Sequence, residues 1–254
     1  MALPRVSIVI PAYNEEKGIE KTVRKVKLKT ISLRPEIIVV DDGSKDGTYA
    51  VAKKIRGIRL IKQLSNKGKA EALKAGFALS KGGLLATIDA DCTYPPESLA
   101  SMVKKAESGF DMVIGSRFLG KNPKLPFAIG FPLYAASLVL SKILSTDIVK
   151  DPSNYYGNAF FSWAITILTG KRITDGSSGL RIFKRSVWEA IGKDIKIKKP
   201  PGLEWEVEMT TRAIKKGFSV AEIPIKYYPR AGVSKLRPFA DGIRFLSGIL
   251  RGRF

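Results

Sequence analysis

The chain has 254 residues, enough to bury a sizeable core, and we expect one main domain. It carries 44 Lys and Arg against 23 Asp and Glu, and this formal charge of +21 predicts attraction to polyanions: nucleic acid, an anionic membrane or phosphorylated substrates. The absence of histidine excludes histidine-based acid–base catalysis, a serine–histidine triad and histidine-containing zinc sites. The single cysteine, Cys92, excludes an intramolecular disulfide.

The first hundred residues alternate between two kinds of pattern. Four short runs rich in apolar and β-branched residues predict strands at 6–10, 36–40, 58–61 and 84–88. The stretches between them have helical spacing, as in Ile19, Val23 and Val26. This repeat predicts an α/β fold with a mainly parallel sheet that is covered by helices on both faces.

Polar, turn-forming segments follow three of these strands: "PAYNEE", "DDGSKDGT" and "DADCTYPP". Ligands of parallel sheets bind beyond the carboxyl ends of the strands, so we expect Asp41, Asp42, Asp89 and Asp91 to meet at one edge. Four like charges there would repel one another unless a cation lies among them. Asp89 and Asp91 therefore suit a shared Mg²⁺ or Mn²⁺ that also binds a diphosphate. The alternative is that they cap a turn before the helix that follows Pro96.

Two further segments suit parts of a nucleotide. The loop "VVDDGSKDGT" lacks the dinucleotide fingerprint, and the chain has no P-loop, but its aspartates can accept hydrogen bonds from a base or a ribose. The stretch "SNKGKAEALKAGF" places Lys67 and Lys69 at a tight turn before a helix, which suits an anion or a nucleotide edge. Solvated surface lysines are the alternative interpretation.

The later part of the chain contains candidate membrane-interface helices. Residues 125–141 and 152–170 are uncharged, but prolines and polar residues make them marginal as spanning helices. We expect amphipathic helices that lie on a membrane surface or pack in the core. The last segment, residues 238–254, predicts a basic amphipathic helix that suits an anionic lipid surface or packs on the domain.

The order of the motifs resembles a known family. "SIVIPAYNEE", "IIVVDDGSKDGT", "NKGKAEALKAGF", "IDADCTYPPE" and "GSRF" follow one another as in the inverting family 2 glycosyltransferases, whose fold is the GT-A nucleotide-sugar type. "TDGSSGLRIFKRSVWEAI" and "YYPRAGVSKLR" are similar to the branch of dolichyl-phosphate mannose synthases and polyprenyl-phosphate glucosyltransferases. The resemblance implies a catalytic domain over residues 1–237, including the helices of 125–170, followed by the C-terminal helix of 238–254.

The resemblance also implies a nucleotide pocket. Pro11, Tyr13 and Glu15 would border the nucleobase, and Asp42 would bind the base or the ribose. Lys69 is a candidate for the same pocket.

The same resemblance makes Asp89 and Asp91 the ligands of a divalent metal on the donor's diphosphate, with Asp89 also near the ribose or the sugar. Mannose synthases often place a glutamine after this Asp-x-Asp, where it helps to bind the metal. Thr93 occupies that position here, so the third protein ligand is open.

The acceptor decides which further side chains take part. A lipid phosphate is already anionic and needs no general base, so we expect Arg117, Arg230, Ser234 and Lys235 to bind it. The metal ligand Asp91 and the cation Arg117 are the predicted catalytic residues of this reaction. A hydroxyl acceptor would instead need a carboxylate base.

The segment "GLEWEVEMTTRAIKKG" lies where hydroxyl-glycosylating relatives carry that base, and its apolar spacing predicts a helix that begins near Leu203. Glu204 and Glu206 are the catalytic candidates, although glutamates in a first helical turn also favour the helix dipole.

The expected activity is transfer of a hexose from GDP-mannose or a UDP-sugar to polyprenyl (dolichyl) phosphate at the cytoplasmic face of the membrane. The alternative is a glycosyltransferase that extends a glycan or a lipid-linked saccharide through a hydroxyl. Many relatives continue into transmembrane helices after this point, so we expect either a peripheral enzyme or a piece of a membrane-anchored one. We expect no nucleic-acid partner, because no binding motif is present and the acidic cluster opposes a phosphate backbone.

Overall fold

The computed structural model describes residues 5–120, 155–195, 204–231 and 238–252. In the first part the elements are β1 (Val6–Ala12), α1 (Ile19–Lys29), a 3₁₀ turn (Ile31–Leu33), β2 (Glu36–Asp41), α2 (Thr48–Lys53), β3 (Arg59–Lys62), α3 (Lys69–Leu79), β4 (Leu84–Thr87), α4 (Ser98–Glu107) and β5 (Met112–Ser116). After residue 154 they are α5 (Tyr155–Thr169), β6 (Arg181–Lys184), α6 (Arg185–Ile191), α7 (Trp205–Lys215), β7 (Val220–Pro224) and α8 (Pro238–Arg251).

A seven-stranded sheet with the order β3-β2-β1-β4-β6-β5-β7 forms the centre of the fold. The strands β3, β2, β1 and β4 are mutually parallel, as are β5 and β7, whereas β6 is antiparallel to both β4 and β5. The predicted mainly parallel sheet is confirmed, and the four predicted N-terminal strands are present with ends shifted by one or two residues. The antiparallel β6 lies between the two parallel groups, so β4 and β5 run in the same direction.

Helices cover both faces of the sheet, as the alternating pattern predicted. One core contains the apolar stripe of α1, formed by Ile19, Val23 and Val26, together with side chains of α4. The other core is built on α3 and also takes side chains from α5, α6, α7 and α8. Strands such as β1 are buried along their whole length because they contribute side chains to both cores.

Phe77 of α3 joins four elements of the second core. Its ring centroid lies 5.5 Å from that of Phe183 in β6 and 4.7 Å from that of Trp188 in α6. The Trp205 ring of α7 lies 6.4 Å away. Tilted and edge-on arrangements of this kind are favourable for aromatic pairs. These rings hold the helices of the C-terminal half against the N-terminal sheet.

The C-terminal helix α8 packs against α7 and α5. Its side chains Phe245 and Ile249 are buried, and the Phe245 ring lies 5.0 Å from that of Phe161 in α5. Gly248 permits close packing, because a Cβ there would lie 3.0 Å from the Glu204 carbonyl oxygen. The opposite side of α8 leaves Ile243 exposed.

The segment predicted at 152–170 contains α5, whereas residues 125–141 lie outside the described residues. Within the described ranges, no helix combines the length and the hydrophobicity that crossing a membrane requires.

We expect Phe77→Ala to lower the free energy of unfolding by about 3–5 kcal/mol, because it opens a cavity among three aromatic rings. Urea denaturation followed by far-UV circular dichroism measures the change. The matched control is Leu79→Ala on the same helix, where the side chain is 47% exposed and the expected loss is below about 1 kcal/mol. Equal losses in the two variants would contradict the role of Phe77 as the centre of this core.

Candidate active site

Three polar loops meet at the carboxyl edge of the sheet. The loop after β1 binds the loop after β2: the Asn14 amide donates to Ser44 Oγ at 3.0 Å, and the Glu15 amide donates to Thr48 Oγ1 at 2.7 Å. Arg230 then connects the first loop to the loop after β4, through Glu15 and Asp91. The expected convergence of these segments is therefore observed.

The turn after β4 fixes the orientation of Asp91. Cys92 has a φ of 66°, a left-handed conformation that turns the chain sharply between Asp91 and Thr93. The Thr93 amide and hydroxyl both donate to Asp91 Oδ1, at 3.1 and 2.6 Å. Thr22 of α1 supports the turn, because its hydroxyl donates to the Ala90 carbonyl and accepts from the Cys92 amide. Thr93 thus holds Asp91 in place through hydrogen bonds to its carboxylate.

Each aspartate of the Asp-x-Asp contacts a cationic side chain. Lys69 Nζ lies 2.5 Å from Asp89 Oδ1 and 2.6 Å from Glu206 Oε1. Burial disfavours the ammonium, but the attraction of Asp89 and Glu206 outweighs this effect and raises the pKa of Lys69. Lys69 is therefore held as a cation between two carboxylates.

Arg230 makes the equivalent contacts to the other aspartate. Its Nη1 lies 3.1 Å from Asp91 Oδ2, and its Nη2 lies 2.5 Å from Glu15 Oε1. Burial lowers the pKa of Arg230, but the attraction of Asp91 and Glu15 gives a net increase. The predicted acceptor-phosphate residue thus lies directly beside a predicted metal ligand.

A glycine of the "TDGSSG" loop packs on the Asp89 carboxylate. A Cβ at Gly179 would lie 2.6 Å from Asp89 Oδ2, so only glycine fits without movement. The Gly179 amide donates to Tyr94 Oη, and its carbonyl accepts from Thr87 Oγ1. No role for Gly179 was predicted from the sequence, although the small residues of this motif were a signal for close approach of the backbone.

Arg117 is engaged inside the fold. Its guanidinium donates to both carboxylate oxygens of the fully buried Asp175, at 2.7 and 2.8 Å, and lies over the rings of Phe118 and Tyr227. Burial opposes its charge, but Asp175 raises the pKa of Arg117 well above its ordinary value. Its positive charge is therefore balanced by a neighbouring carboxylate. The candidates Ser234 and Lys235 lie outside the described residues.

Of the residues predicted to bind the nucleotide, some lie at the end of β1, whereas Asp42 binds the backbone of another loop. Pro11 is buried near the end of β1, and Tyr13 is half-buried just after it. Both carboxylate oxygens of Asp42 accept from backbone amides, those of Lys67 and Gly68, at 2.8 Å each. Burial raises the pKa of Asp42 in spite of these amides. In this structure Asp42 therefore fixes the turn that precedes α3.

The preceding residue, Asp41, differs from Asp42 in its hydrogen bonding. Asp41 is fully buried, and within the described part of the chain neither of its carboxylate oxygens has a hydrogen-bond partner. Buried carboxylates without partners are costly, so an unpaired one beside a binding edge indicates a ligand that supplies the donor. The prediction for the base or ribose selected Asp42, and the doubled aspartate was the signal that would also have identified Asp41.

The two candidate bases of α7 point to different neighbours. Helix α7 begins at Trp205 with Glu204 as its N-cap, close to the predicted start. Glu204 Oε1 lies 3.9 Å from Arg251 of α8, whereas Glu206 contacts Lys69. Burial raises the pKa of Glu206 despite the attraction of Lys69 and Arg181. Its second oxygen, Oε2, is buried without a hydrogen-bond partner among the described residues. Of the two glutamates, Glu206 is the one linked to the Asp-x-Asp.

The residues present fit a divalent cation. The described residues contain no group of three or more acidic or thiol side chains that could hold a metal ion by themselves. Mg²⁺ and Mn²⁺ are commonly bound by one or two carboxylates, with water and phosphate oxygens as the remaining ligands. Asp89 and Asp91 supply hard oxygen ligands of this kind at the edge where a phosphate could complete the set.

A mixed, mostly parallel sheet with an Asp-x-Asp after a central strand defines the GT-A class of glycosyltransferase folds. The chain belongs to the family described as Glycosyl transferase family 2, which it matches over residues 7–191. The resemblance of the sequence motifs to this family is thereby confirmed, and the protein is a glycosyltransferase.

Two relatives extend the match beyond residue 191. A polyprenol monophosphomannose synthase from Mycolicibacterium smegmatis is 32% identical over 91% of this chain and 81% of its own length. The low-salt glycan biosynthesis hexosyltransferase Agl6 from Haloferax volcanii is 30% identical over 97% of this chain. The chain spans about half of that relative, 53% of its length.

A solved structure shows the same fold. Glucosyl-3-phosphoglycerate synthase from Mycobacterium tuberculosis, in complex with Mn²⁺, uridine diphosphate and phosphoglyceric acid, aligns with a TM-score of 0.66. The alignment covers 98% of this chain and 78% of that protein at 19% identity.

We expect Gly179→Ala to weaken the combined binding of Mn²⁺ and a nucleoside diphosphate by about tenfold or more, since the new methyl group displaces Asp89. Isothermal titration with UDP or GDP in the presence of Mn²⁺ measures the change. The matched control is Gly83→Ala, because no heavy atom lies within 4 Å of the position of its Cβ. Unchanged affinity in Gly179→Ala would show that the close contact with Asp89 is not needed for binding.

Proposed function

We propose that this protein transfers a hexose, with inversion, from GDP-mannose or a UDP-sugar to a polyprenyl (dolichyl) phosphate at the cytoplasmic face of the membrane. The reaction depends on Mg²⁺ or Mn²⁺. The polyprenol monophosphomannose synthase among the relatives supports the lipid-phosphate acceptor, and the Mn²⁺ in the solved structure of the same fold supports the metal.

One observation carries the proposal: two carboxylates and two side-chain cations lie together at the carboxyl edge of the sheet. Asp89 and Asp91 supply ligands for the divalent metal. Lys69 and Arg230 lie directly beside them and can bind the oxygens of phosphate groups. Such an arrangement suits a substrate whose reacting part is a diphosphate, because it offers both metal ligands and complementary charge.

The donor would lie across the ends of β1, β2 and β4. Pro11 near the end of β1, with Tyr13 and Glu15 just after the strand, would border the nucleobase, and the buried Asp41 would accept a hydrogen bond from a base N–H or a ribose hydroxyl. Asp42 acts on this pocket through the turn that it holds. When bound, the metal stabilises the negative charge that develops on the departing nucleoside diphosphate.

A lipid phosphate needs orientation more than activation. Its phosphate oxygen is already anionic near neutral pH, so no side chain has to act as a general base on the acceptor. Arg230 is the described candidate that lies directly beside the Asp-x-Asp, and Ser234 and Lys235 follow it in sequence. Arg117 is a weaker candidate for binding the acceptor phosphate, because its guanidinium is already paired with Asp175.

Exposed apolar side chains on α5 and α8, which cover the same face of the sheet as α3, suit contact with a membrane. Trp163 and Ile167 of α5 are 51% and 63% exposed, and Ile243 and Leu250 of α8 are 58% and 56% exposed. These helices pack together through Phe161 and Phe245. With a formal charge of +21 on the chain, this α5–α8 surface suits the interface of an anionic bilayer.

A hydroxyl acceptor is the second candidate, and Glu206 favours it. Among the described residues its Oε2 is buried without a partner, and its raised pKa suits a general base. Glu204 is the weaker candidate base, since it lies on the α8 side of α7.

The deciding experiment offers a panel of radiolabelled GDP- and UDP-sugars with dolichyl phosphate in liposomes. Assays run with saturating Mn²⁺, with Mg²⁺ and with a chelator. We expect lipid-linked product with one donor, its loss with the chelator, and a loss of about 100-fold or more in Asp91→Asn. Glu206→Gln and Glu204→Gln are expected to retain transfer at saturating Mn²⁺. Metal-dependent hydrolysis of the donor without lipid product, abolished in Glu206→Gln, would support the hydroxyl acceptor instead.

The membrane surface gives a separate prediction. We expect Ile243→Glu/Leu250→Glu to reduce cosedimentation with phosphatidylglycerol vesicles by about tenfold or more, since two apolar side chains no longer enter the interface. The matched control is Leu28→Glu/Ile31→Glu, which changes two exposed apolar residues, 67% and 73% exposed, near α1 on the other face. Equal losses in both variants would indicate attraction by net charge without a defined apolar surface.

A further inference from the structure

The two cations at the Asp-x-Asp share one arrangement. Lys69 lies between Asp89 and Glu206, and Arg230 lies between Asp91 and Glu15. Each cation therefore contacts one carboxylate inside the Asp-x-Asp and one outside it. The metal-binding role proposed above uses only the inner pair.

Metal binding by Asp89 and Asp91 would change this balance of charges. The Lys69 ammonium lies 2.5 Å from Asp89 Oδ1, and Arg230 Nη1 lies 3.1 Å from Asp91 Oδ2, so a metal held by Asp89 and Asp91 would compete with both cations for these carboxylates. Lys69 is 13% exposed and Arg230 is 29% exposed, so neither can move its charge fully into water in its present position. Each cation would then keep a single carboxylate partner, and without it the buried charge would be strongly destabilised, more so beside a divalent cation.

The outer carboxylates remove this difficulty. We propose that Glu206 and Glu15 are holding carboxylates, which keep Lys69 and Arg230 paired and in place when Asp89 and Asp91 turn to the metal. This inference rests on the proposed metal-dependent function and assigns Glu206 a positioning role. Lys69 and Arg230 would thereby stay beside the Asp-x-Asp, where the diphosphate of the donor is proposed to bind.

Hydrogen bonds anchor the segments that carry Glu206 and Arg230. Fully buried Arg181 donates to the Glu206 carbonyl at 2.8 Å and to Thr210 Oγ1 at 2.7 Å, so it anchors the first turn of α7. On the other side, the Tyr228 amide donates to the Thr93 carbonyl and the Ala231 amide to the Asp91 carbonyl, both at 2.9 Å. These bonds hold the segment of Arg230 independently of its side-chain contact with Asp91.

The test is a double-mutant cycle on Mn²⁺ affinity, measured by electron paramagnetic resonance of free Mn²⁺ with and without UDP or GDP. Its members are the wild type, Glu206→Gln, Lys69→Met and the double variant Lys69→Met/Glu206→Gln. We expect Glu206→Gln to weaken Mn²⁺ binding by about tenfold or more in the presence of Lys69, because the displaced ammonium is left unpaired. In the Lys69→Met background there is no cation to displace, so adding Glu206→Gln is expected to alter the affinity by less than about threefold.

A simple loss of negative charge near the metal gives a different result. In that case Glu206→Gln weakens Mn²⁺ binding equally in the wild-type and the Lys69→Met backgrounds, and the proposal is overturned. Glu71→Gln is the matched control: Glu71 pairs with Lys74 on the same helix at 3.7 Å, outside the site, and its change is expected to leave Mn²⁺ affinity unaltered.

The second arm, Glu15→Gln with and without Arg230→Met, repeats the cycle at Asp91 and serves if the Glu206 variant does not fold. Failure of the inference can be told apart from failure of the proposed function. Wild-type protein that binds no Mn²⁺, even with a nucleoside diphosphate, would refute the metal-dependent function itself. Normal wild-type binding with no coupling in either cycle would refute only the holding carboxylates.

Discussion

Mutual repulsion among carboxylates at the end of a parallel sheet is the constraint on which this site depends. Asp89, Asp91 and Glu15 are brought together by strand order, because β4 and β1 are parallel neighbours and end at the same edge. Their charges are balanced by Lys69 and Arg230, which approach from different parts of the chain. These ion pairs thus balance the charge of the acidic cluster within the protein itself.

The topology explains how distant segments reach this edge. An antiparallel strand places its entry loop where its parallel neighbours end, so β6 brings the "TDGSSG" loop and Gly179 to Asp89. Strands β5 and β7 run parallel to β4 and end on the same side, which places Arg117 after one and Arg230 after the other. The reversed direction of β6 therefore lets the C-terminal half enclose a site that the N-terminal half begins.

Sequence patterns predicted the parts of this fold that depend on local periodicity. The four N-terminal strands, the helices between them and the acidic residues at the strand ends follow from alternation and turn composition. The partners of those residues do not follow, because they depend on contacts between distant segments. Lys69 and Glu206 lie in different halves of the chain, and nothing local indicates that their side chains form an ion pair. The pairing of Arg117 with Asp175, 58 positions later, likewise appears only in three dimensions.

Asp42 illustrates the same limit at short range. The sequence places it beside a nucleotide, but the structure directs its carboxylate to the amides of Lys67 and Gly68, and leaves Asp41 buried without a partner among the residues that the structure describes. Which of two adjacent aspartates turns inward depends on the pleat of β2 and on the path of a loop 25 residues away, neither of which is encoded in the motif itself.

Helix α7 connects the site to the apolar surface proposed to meet the membrane. Glu206, in its first turn, contacts Lys69, while Glu208 binds Arg251 of α8 at 2.9 Å and Arg212 at 3.1 Å. Gly248 of α8 lies against the backbone of Glu204, so the two helices approach closely at the same end. The residue that holds Lys69 and the helix that carries the exposed apolar side chains are therefore positioned by one rigid element. Docking of the α5–α8 surface on a bilayer would therefore fix the orientation of the Asp-x-Asp relative to the lipid phosphates.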